Sequence, residues 1–224
     1  MMAEKNSLGF SGRGRRRIAV FGGSFNPVHN GHLLIAGDLV RRGLADEVLF
    51  VPARTPPHKH GNNLLRGEIR LEMVRLAIEP YPEFSVSDIE LTSERKTGYT
   101  IDTMAALSRA FVDAELSFLI GTDSLCDLHN WFHAAELVGR FNIITYPRPG
   151  FPLPARADLA VRLGPKNAGR LLDSVVDCPS VPISATQVRE ALANGRTLAG
   201  LLPERVAAFI AANKLYTDTE ERID

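Results

Sequence analysis

Residues 22–32 read G-G-S-F-N-P-V-H-N-G-H. An apolar run at 18–21 (I-A-V-F) comes directly before this stretch, and another at 33–36 (L-L-I-A) comes directly after it. The pattern predicts a strand, a glycine-rich turn and the start of a helix in close succession. A helix N-terminus carries unpaired N–H groups and a partial positive charge, which favour bound phosphate. The stretch therefore predicts a nucleotide-binding site.

Similar alternation continues along the chain and indicates the fold class. Strand-like apolar runs lie at 18–21, 48–51, 116–120 and 141–145, with helical patterns between them. This order is typical of βαβ units and a parallel sheet. We predict a doubly wound α/β fold with a mostly parallel, Rossmann-like sheet. Shorter runs at 84–87 and 174–177 are predicted to add strands.

The helix boundaries follow from capping and breaking residues. Helices are predicted at 31–42, 68–78, 100–111, 184–193 and 203–213. Gly43 is predicted to end the first helix, Thr100 to cap the third, and Pro203 to occupy the first position of the last. Residues 52–65 and 146–154 are predicted to form long loops, which are often functional in α/β domains.

Composition and charge limit the classes of partner. The chain has 224 residues, 45% apolar and 23% charged, with 26 basic and 26 acidic side chains and a formal net charge of +0. Such a balance gives no general attraction to nucleic acid or to anionic membranes, so neither is predicted as a partner. No apolar run is long enough for a membrane span or a secretory signal. Cys126 and Cys178 are too widely spaced for a zinc cluster or a disulfide framework, and a cytoplasmic protein is predicted.

A single domain over residues 18–216 is predicted, because no linker divides the chain. Residues 1–17 are predicted to form a disordered basic tail, and 217–224 a C-terminal tail. The N-terminal tail has four arginines between positions 13 and 17, so an RNA-binding arm is the alternative there. A homo-oligomer is left open.

Chemistry-bearing residues are concentrated in the first motif. Gly22 and Gly23 allow a ligand to approach the backbone, and Ser24 offers a hydroxyl and an N–H to phosphate oxygens. His29 and His32 are three residues apart at the predicted helix start, which places both imidazoles on one face. These side chains are candidate donors to a bound polyphosphate.

A second motif, I-S-A-T-Q-V-R, occupies residues 183–189. Ser184 and Thr186 are able to cap a helix here, and the same groups form an anion site. Arg189, one turn further, suits bidentate binding of phosphate oxygens. Two helix N-termini would then hold one polyphosphate from two sides.

Metal binding is the main alternative for the histidines. Four of the six histidines could converge on zinc: His29, His32, His58 and His60. Structural zinc sites usually include cysteines and tighter ligand pairs, so no metal ligands are predicted. His129 and His133, four apart beside Trp131, form another pair, for which an exposed helix face is the competing interpretation.

The two motifs together resemble the nucleotidyltransferase superfamily, whose members carry an H-x-G-H element and an I-S-S-T-x-x-R-like element. Within it the chain is similar to bacterial nicotinate-nucleotide adenylyltransferases. The similarity runs over residues 18–216 and includes P-P-H-K at 56–59, G-Y-T-I-D-T at 98–103, I-G-T-D-S-L at 120–125, Trp131, R-P-G at 148–150 and L-L-P-E-R-V at 201–206. Four positions depart from the usual pattern: Ser24 for Thr, Asn26 for Asp, Gly98 for Ser and Ala185 for Ser.

The resemblance implies transfer of AMP from ATP to nicotinic acid mononucleotide, which gives deamido-NAD and pyrophosphate in NAD biosynthesis. It also implies Mg²⁺, bound mainly through the ATP phosphates and water. The alternative acceptors are nicotinamide mononucleotide and phosphopantetheine. A nucleotide sensor without catalysis is disfavoured, because both histidines and Arg189 are present.

Roles for individual residues also come from the resemblance. His29, His32, Ser24 and Arg189 are expected at the reacting phosphates. ATP is expected to contact Gly22, Gly23, Ser24, Phe25, His29, His32, Gly121, Asp123, Arg148, Ile183, Ser184, Thr186 and Arg189. Nicotinate nucleotide is expected to contact Lys59, Tyr99, Thr100, Asp123 and Trp131, with Trp131 stacked on the pyridine ring. The alternatives are a helix cap for Asp123, a core position for Trp131 and solvated charges for Lys59 and Arg148.

Overall fold

The protein is built around a five-stranded parallel sheet in the order β3-β2-β1-β4-β5. A computed structural model describes residues 14–54, 64–93, 98–178 and 181–216. The strands are β1 (Arg16–Gly23), β2 (Glu47–Pro52), β3 (Phe84–Val86), β4 (Ala114–Gly121) and β5 (Asn142–Tyr146). From β1 the chain adds β2 and β3 on one side of the sheet and then β4 and β5 on the other, which confirms the predicted doubly wound α/β fold.

Helices cover both faces of the sheet. They are α1 (Asn30–Arg41), α2 (Gly67–Ile78), α3 (Ile89–Thr92), α4 (Thr100–Ala110), α5 (Thr122–Asp127), α6 (Ala134–Arg140), α7 (Arg156–Leu163), α8 (Pro165–Asp173), α9 (Ala185–Ala193) and α10 (Glu204–Ala212). A 3-10 turn at Leu128–Asn130 follows α5. Among the described residues, no helix has the length and apolar character to cross a membrane.

Two apolar layers form because side chains alternate along each strand. From β1, Ala19 and Phe21 pack into the layer that α1, α2, α9 and α10 cover. Ile18 and Val20 pack into the opposite layer, beneath α4 to α8. Burial on both faces explains why the strands read as continuous apolar runs rather than as alternating ones.

The first strand begins earlier than predicted. β1 starts at Arg16, so Arg16 and Arg17 belong to the strand and not to the predicted tail. The backbone N–H of Arg17 donates to Asp46 Oδ2 at 2.8 Å, and its guanidinium donates to Oδ1 at 2.5 Å. This pairing with the start of β2 extends the sheet beyond the apolar run.

Three further boundaries differ from the sequence-based expectations. Tyr99 is the N-cap of α4, and Thr100 is its first helical residue rather than its cap. Pro203 has an extended backbone with ψ 141, so it is the N-cap of α10 and not its first helical position. Residues 174–177 form only a single parallel bridge, from Val175 to β5, instead of a strand. The end of α1 is as predicted, since Gly43 follows it with φ +65.

Candidate active site

The carboxyl ends of β1 and β4 define the candidate site. β1 and β4 are neighbours at the point where the strand order reverses, and ligands in open α/β sheets bind outside the carboxyl ends at that point. The glycine turn leaves β1 there, and Gly121 ends β4 beside it. A side chain at Gly121 would collide with Asp123 and would come within 2.7 Å of Arg148 Cδ. This edge of the sheet is therefore closely packed with polar side chains.

An aromatic cavity of about 390 Å³ opens beside the turn. Its walls are Gly22, Gly23, Ser24, Ala53, Glu90, Gly98, Tyr99, Thr100, Phe118, Asn130, Trp131 and Phe132. Tyr99 and Phe132 stack at 4.2 Å between centroids, and Trp131 packs edge-on against Phe118 at 6.1 Å. Trp131 is half-buried, so it forms a wall of the cavity and is not a plain core residue. Such a cavity suits a flat ring.

The glycine turn allows close approach to this cavity. A Cβ at Gly22 would lie 3.0 Å from the Phe118 ring, so only glycine leaves that wall in place. Phe25 follows with φ +44, and its side chain is 1% exposed. The Phe25 ring packs edge-on against Phe21 and His32 beneath the turn. Only the Phe25 backbone is therefore available to a nucleotide.

The two histidines of the first motif lie together, as predicted. Their rings stack at 3.7 Å between centroids, and the backbone N–H of His29 donates to His32 Nδ1 at 3.1 Å. His29 is the N-cap of α1 and is only 4% exposed. Its Nδ1 is buried and has no hydrogen-bond partner. Burial and the positive charge of Arg148 lower the pKa of His29 to about 3, so this imidazole is neutral at pH 7.

Arg148 and Asp123 form an ion pair at the end of β4. Arg148 Nη1 donates to Asp123 Oδ2 at 2.7 Å, and the Arg148 backbone N–H donates to Thr122 Oγ1 at 2.9 Å. The N-cap of α5 is Gly121, so Asp123 is in the first turn and does not cap the helix. Asp123 Oδ1 is buried without a partner. The pair places one cation and one free carboxylate oxygen at this edge.

The second motif lies against the first. Ser184 caps α9, accepting the Gln187 N–H at 3.2 Å, whereas Thr186 does not cap it and instead accepts a hydrogen bond from Arg189 at 3.3 Å. Arg189 Nη1 donates to the backbone carbonyl of Asn26 at 2.7 Å. The guanidinium is thus held beside the turn that leads into α1.

A further contact joins the segment before α9 to the start of α1. Val181 Cγ1 lies 3.2 Å from the position of a Cβ at Gly31, inside the first turn of α1. Ile183, two residues before α9 begins, packs against the core layer that α1 also covers. The segment that leads into α9 therefore packs against the first turn of α1, and the convergence of both helix N-termini on one polyphosphate stays a prediction.

Sequence reasoning missed Arg70. This side chain on α2 is 0% exposed and donates to four backbone carbonyls. The acceptors are Leu65 at 2.8 Å, Ser24 at 2.6 Å, Ala53 at 2.7 Å and Arg54 at 3.1 Å. The signal was present, since Arg70 falls on the same helical stripe as buried Met73, Val74 and Ala77. A cation on an apolar stripe indicates a buried polar role.

Glu90 and Phe132 were missed as well. Both line the aromatic cavity. Glu90 lies in a helix of four residues, too short for a readable periodicity, and Phe132 belongs to an irregular segment. No pattern in the sequence distinguishes them from surface residues.

Some predicted residues fall outside the described part of the chain, and others are not brought together. Lys59, His58 and His60 fall in 55–63, outside the described residues. His129 and His133 do not share a helix face, because His133 has φ +53 and begins α6. His129 contacts Arg162, whereas His133 Nδ1 lies 3.1 Å from Glu136 Oε2. In the described part of the chain, no group of three or more His, Cys, Asp or Glu side chains is placed to hold a metal ion.

Known proteins resemble this chain over most of its length. A model of the cytidylyltransferase-like family matches residues 20–191. A protein of Symbiobacterium thermophilum named probable nicotinate-nucleotide adenylyltransferase is 38% identical over 93% of this chain and 99% of its own. One of the same name from Gloeobacter violaceus is 42% identical over 89% of this chain and 96% of its own.

Solved structures agree on the fold. The Plasmodium falciparum nicotinic acid mononucleotide adenylyltransferase complexed with NaAD superposes with a TM-score of 0.71 at 18% identity, covering 90% of this chain and 97% of that one. A putative nicotinate-nucleotide adenylyltransferase from Vibrio parahaemolyticus gives 0.64 at 20% identity, covering 91% and 97%. At these low identities the solved structures show only that the fold is shared. The curated relatives, at 38% and 42% identity, show the family. The chain belongs to the cytidylyltransferase-like family and, within it, to the nicotinate-nucleotide adenylyltransferases.

Proposed function

We propose that the protein transfers AMP from ATP to nicotinic acid mononucleotide, forming deamido-NAD and pyrophosphate in NAD biosynthesis. The observation that carries this proposal is that two features lie side by side at one edge of the sheet. The glycine turn, with His29 and His32 after it and Arg189 held beside it, adjoins an aromatic cavity that suits a flat ring. The names of the curated relatives support the same reaction.

The ligand of the first feature, the glycine turn with its histidines and Arg189, is the polyphosphate of ATP. Helix N-termini and cations stabilise phosphate charge, and in such transfers most catalysis is placement and electrostatic stabilisation. A phosphate oxygen of the mononucleotide bonds to the α-phosphorus of ATP, and the bond from that phosphorus to the bridging β-phosphate oxygen breaks. Pyrophosphate departs with the bonding electrons. His29 and His32 donate to the phosphates of ATP, with Ser24 beside them, and Arg189 holds the leaving pyrophosphate.

The mononucleotide occupies the second feature. Its pyridine ring stacks on Trp131 in the aromatic cavity, with Tyr99 nearby. The first N–H groups of a helix have no carbonyl partner within the helix, so the start of α4 at Thr100 offers donors to a ring carboxylate. Asp123 accepts hydrogen bonds from a ribose through its free Oδ1. The donors at the start of α4 favour the acid form of the nucleotide.

The donor set at this edge fits a Mg²⁺ that arrives on the ATP phosphates. Mg²⁺ prefers oxygen ligands and keeps several waters, so phosphate oxygens and water would fill its shell while Asp123 Oδ1 stays with the ribose. Asp123 is already paired with Arg148, so the phosphates supply most ligands. When bound, the ion neutralises charge on the pyrophosphate that departs.

The test is product formation by the purified protein with ATP, Mg²⁺ and one acceptor at a time. The acceptors are nicotinic acid mononucleotide, nicotinamide mononucleotide and phosphopantetheine. We expect pyrophosphate and deamido-NAD, with kcat/KM highest for the acid mononucleotide. Pyrophosphate with phosphopantetheine alone would refute the acceptor, and its absence with every acceptor would refute the enzyme assignment.

A further inference from the structure

The aromatic cavity has one acidic side chain in its wall. Of the described residues that line it, Glu90 alone carries a formal charge at neutral pH, and Tyr99 is the other titratable group. The remaining walls are apolar, neutral polar or glycine. A ring substituent that enters the cavity therefore shares it with one carboxyl group, that of Glu90, whose charge changes with pH.

Glu90 is held firmly in that wall. Thr103 Oγ1 donates to Glu90 Oε1 at 2.8 Å. The Arg54 guanidinium donates to the carbonyls of Glu90 at 3.2 Å, Leu91 at 2.7 Å and Ser93 at 2.6 Å. These bonds fix α3 against the end of β2, so the carboxyl has a defined position.

Gly98 makes room for the carboxyl. A Cβ at this position would lie 2.8 Å from Glu90 Oε2 and 3.3 Å from Glu90 Cδ. The carboxyl therefore fills the space that a side chain at 98 would take, directly before Tyr99 and Thr100. Those two residues are the expected neighbours of the pyridine substituent.

We propose that Glu90 sets the discrimination between carboxylate and carboxamide pyridine nucleotides, and that protonation of Glu90 shifts this choice toward the carboxylate. An ionised Glu90 repels a carboxylate and accepts an amide N–H, whereas a neutral one donates to a carboxylate. The inference rests on the proposed function and adds a specificity residue to it.

Several charged groups surround Glu90. Asp102 and Arg109 on α4 line a smaller cavity of about 180 Å³ that Glu90 also lines, and Asp88 is the N-cap of α3, two residues before Glu90. Burial raises the pKa of Glu90 above its usual value. The Thr103 hydroxyl, the Arg54 backbone N–H and the Arg70 charge oppose that rise. Burial therefore moves the protonation of Glu90 to higher pH than that of an exposed glutamate.

The experiment measures kcat/KM for the acid and the amide mononucleotide from about pH 5 to about pH 9, a span that begins just above the ordinary pKa of a glutamate. The ratio of the two values cancels the ionisations of ATP and of the phosphate that both acceptors share. In the wild type, we expect the ratio of acid to amide to rise about tenfold as the pH falls, the effect of about one pKa unit. Glu90→Gln should give a flat profile at the low-pH value.

Three further variants separate this role from a structural one. Thr103→Val removes a donor that favours ionised Glu90, so the change in the ratio should move to higher pH. Gly98→Ala should displace the carboxyl and reduce the size of the change. Glu72→Gln, on the exposed side of α2, is the control and should behave as the wild type.

The outcomes distinguish this inference from the proposed function. AMP transfer with a ratio that does not vary with pH would overturn the role of Glu90 and leave the function standing. A pH dependence that survives in Glu90→Gln would also overturn it. No transfer to either mononucleotide by the wild type would refute the function itself. If Glu90→Gln does not fold, the shift in Thr103→Val and the smaller change in Gly98→Ala still decide the matter.

Discussion

His32 is the half-buried partner in the histidine stack, and its ring also packs edge-on against Phe21 and Phe25. His32→Ala should lower turnover by about a hundredfold or more, as the loss of one transition-state donor commonly does. Steady-state kinetics measures this effect, with circular dichroism to confirm the fold. Leu34→Ala, 58% exposed on the same helix, is the control. Turnover close to the wild type would show that His32 is not a donor.

His29 gives the protein a sensitivity to acid. Its pKa is lowered from 6.5 to about 3 in the folded state, so the unfolded chain binds a proton between these values and the folded chain does not. The free energy of unfolding should therefore fall as the pH drops through this window, by at most about 1.4 kcal/mol per pH unit from this group. Urea unfolding at a series of pH values measures the slope.

Two variants isolate the contribution of His29. His29→Asn should flatten the slope over the same window, because the titrating group is gone. Leu34→Asn, 58% exposed on the same helix and without a titrating group, should leave it unchanged. An equal slope in the wild type and in His29→Asn would contradict the depressed pKa.

At the scale of elements, Arg70 joins α2 to the ends of β1 and β2. Its four carbonyl acceptors belong to the glycine turn, to the segment after β2 and to the segment before α2. A guanidinium suits this arrangement because it has five N–H donors in a fixed plane. The positions of Ser24 and Arg54, and through Arg54 that of α3, therefore depend on one buried side chain.

Arg70→Met should lower the free energy of unfolding by about 3 to 5 kcal/mol, because it leaves buried carbonyls unpaired. It should also raise the KM for ATP, since Ser24 loses its anchor. Arg70→Lys should restore only part of both, because one ammonium cannot reach carbonyls in three segments. Denaturant unfolding and ATP kinetics test this. Arg75→Met, an exposed change on the same helix, is the control and should cost under about 0.5 kcal/mol of stability. A similar loss of stability in both variants would show that the carbonyl contacts of Arg70 do not stabilise the fold.

At the scale of the whole molecule, Asn26 links the glycine turn to the C-terminal region. Its Oδ1 accepts the Tyr216 hydroxyl at 2.8 Å and the Leu65 N–H at 3.3 Å, and its carbonyl accepts Arg189. Burial raises the pKa of Tyr216, so the hydroxyl stays protonated as a donor. Segments far apart in sequence thus meet at one buried side chain.

Tyr216→Phe should cost about 0.5 to 1.5 kcal/mol of stability, the value of one hydrogen bond. It should also lower kcat/KM for ATP, because Asn26 and Arg189 share this junction. Thermal unfolding and kinetics measure both. Tyr81→Phe, 37% exposed, is the control. Unchanged stability and unchanged kinetics would show that the C-terminal contact does not support the site.

The sequence by itself determined the parallel α/β fold, the two candidate phosphate-binding motifs and the family. These features depend on local signals: apolar runs with strand or helix spacing, the Ser184 cap, and residue types at fixed separations within one turn. The helix boundaries misplaced at Thr100 and Pro203 also have a local cause, since a cap differs from the first helical residue beside it only in backbone dihedrals.

Only the tertiary structure decided which residues complete the site. Arg189 meets Asn26, Arg70 reaches four carbonyls and Glu90 faces Gly98 through contacts between separate segments. Each contact depends on how the helices pack on the sheet, and that packing cannot be read from a residue's immediate neighbours in sequence. Arg70 alone left a trace, because a buried cation interrupts an apolar stripe. Glu90 left none, since a carboxylate in a short helix looks the same whether it faces water or a cavity.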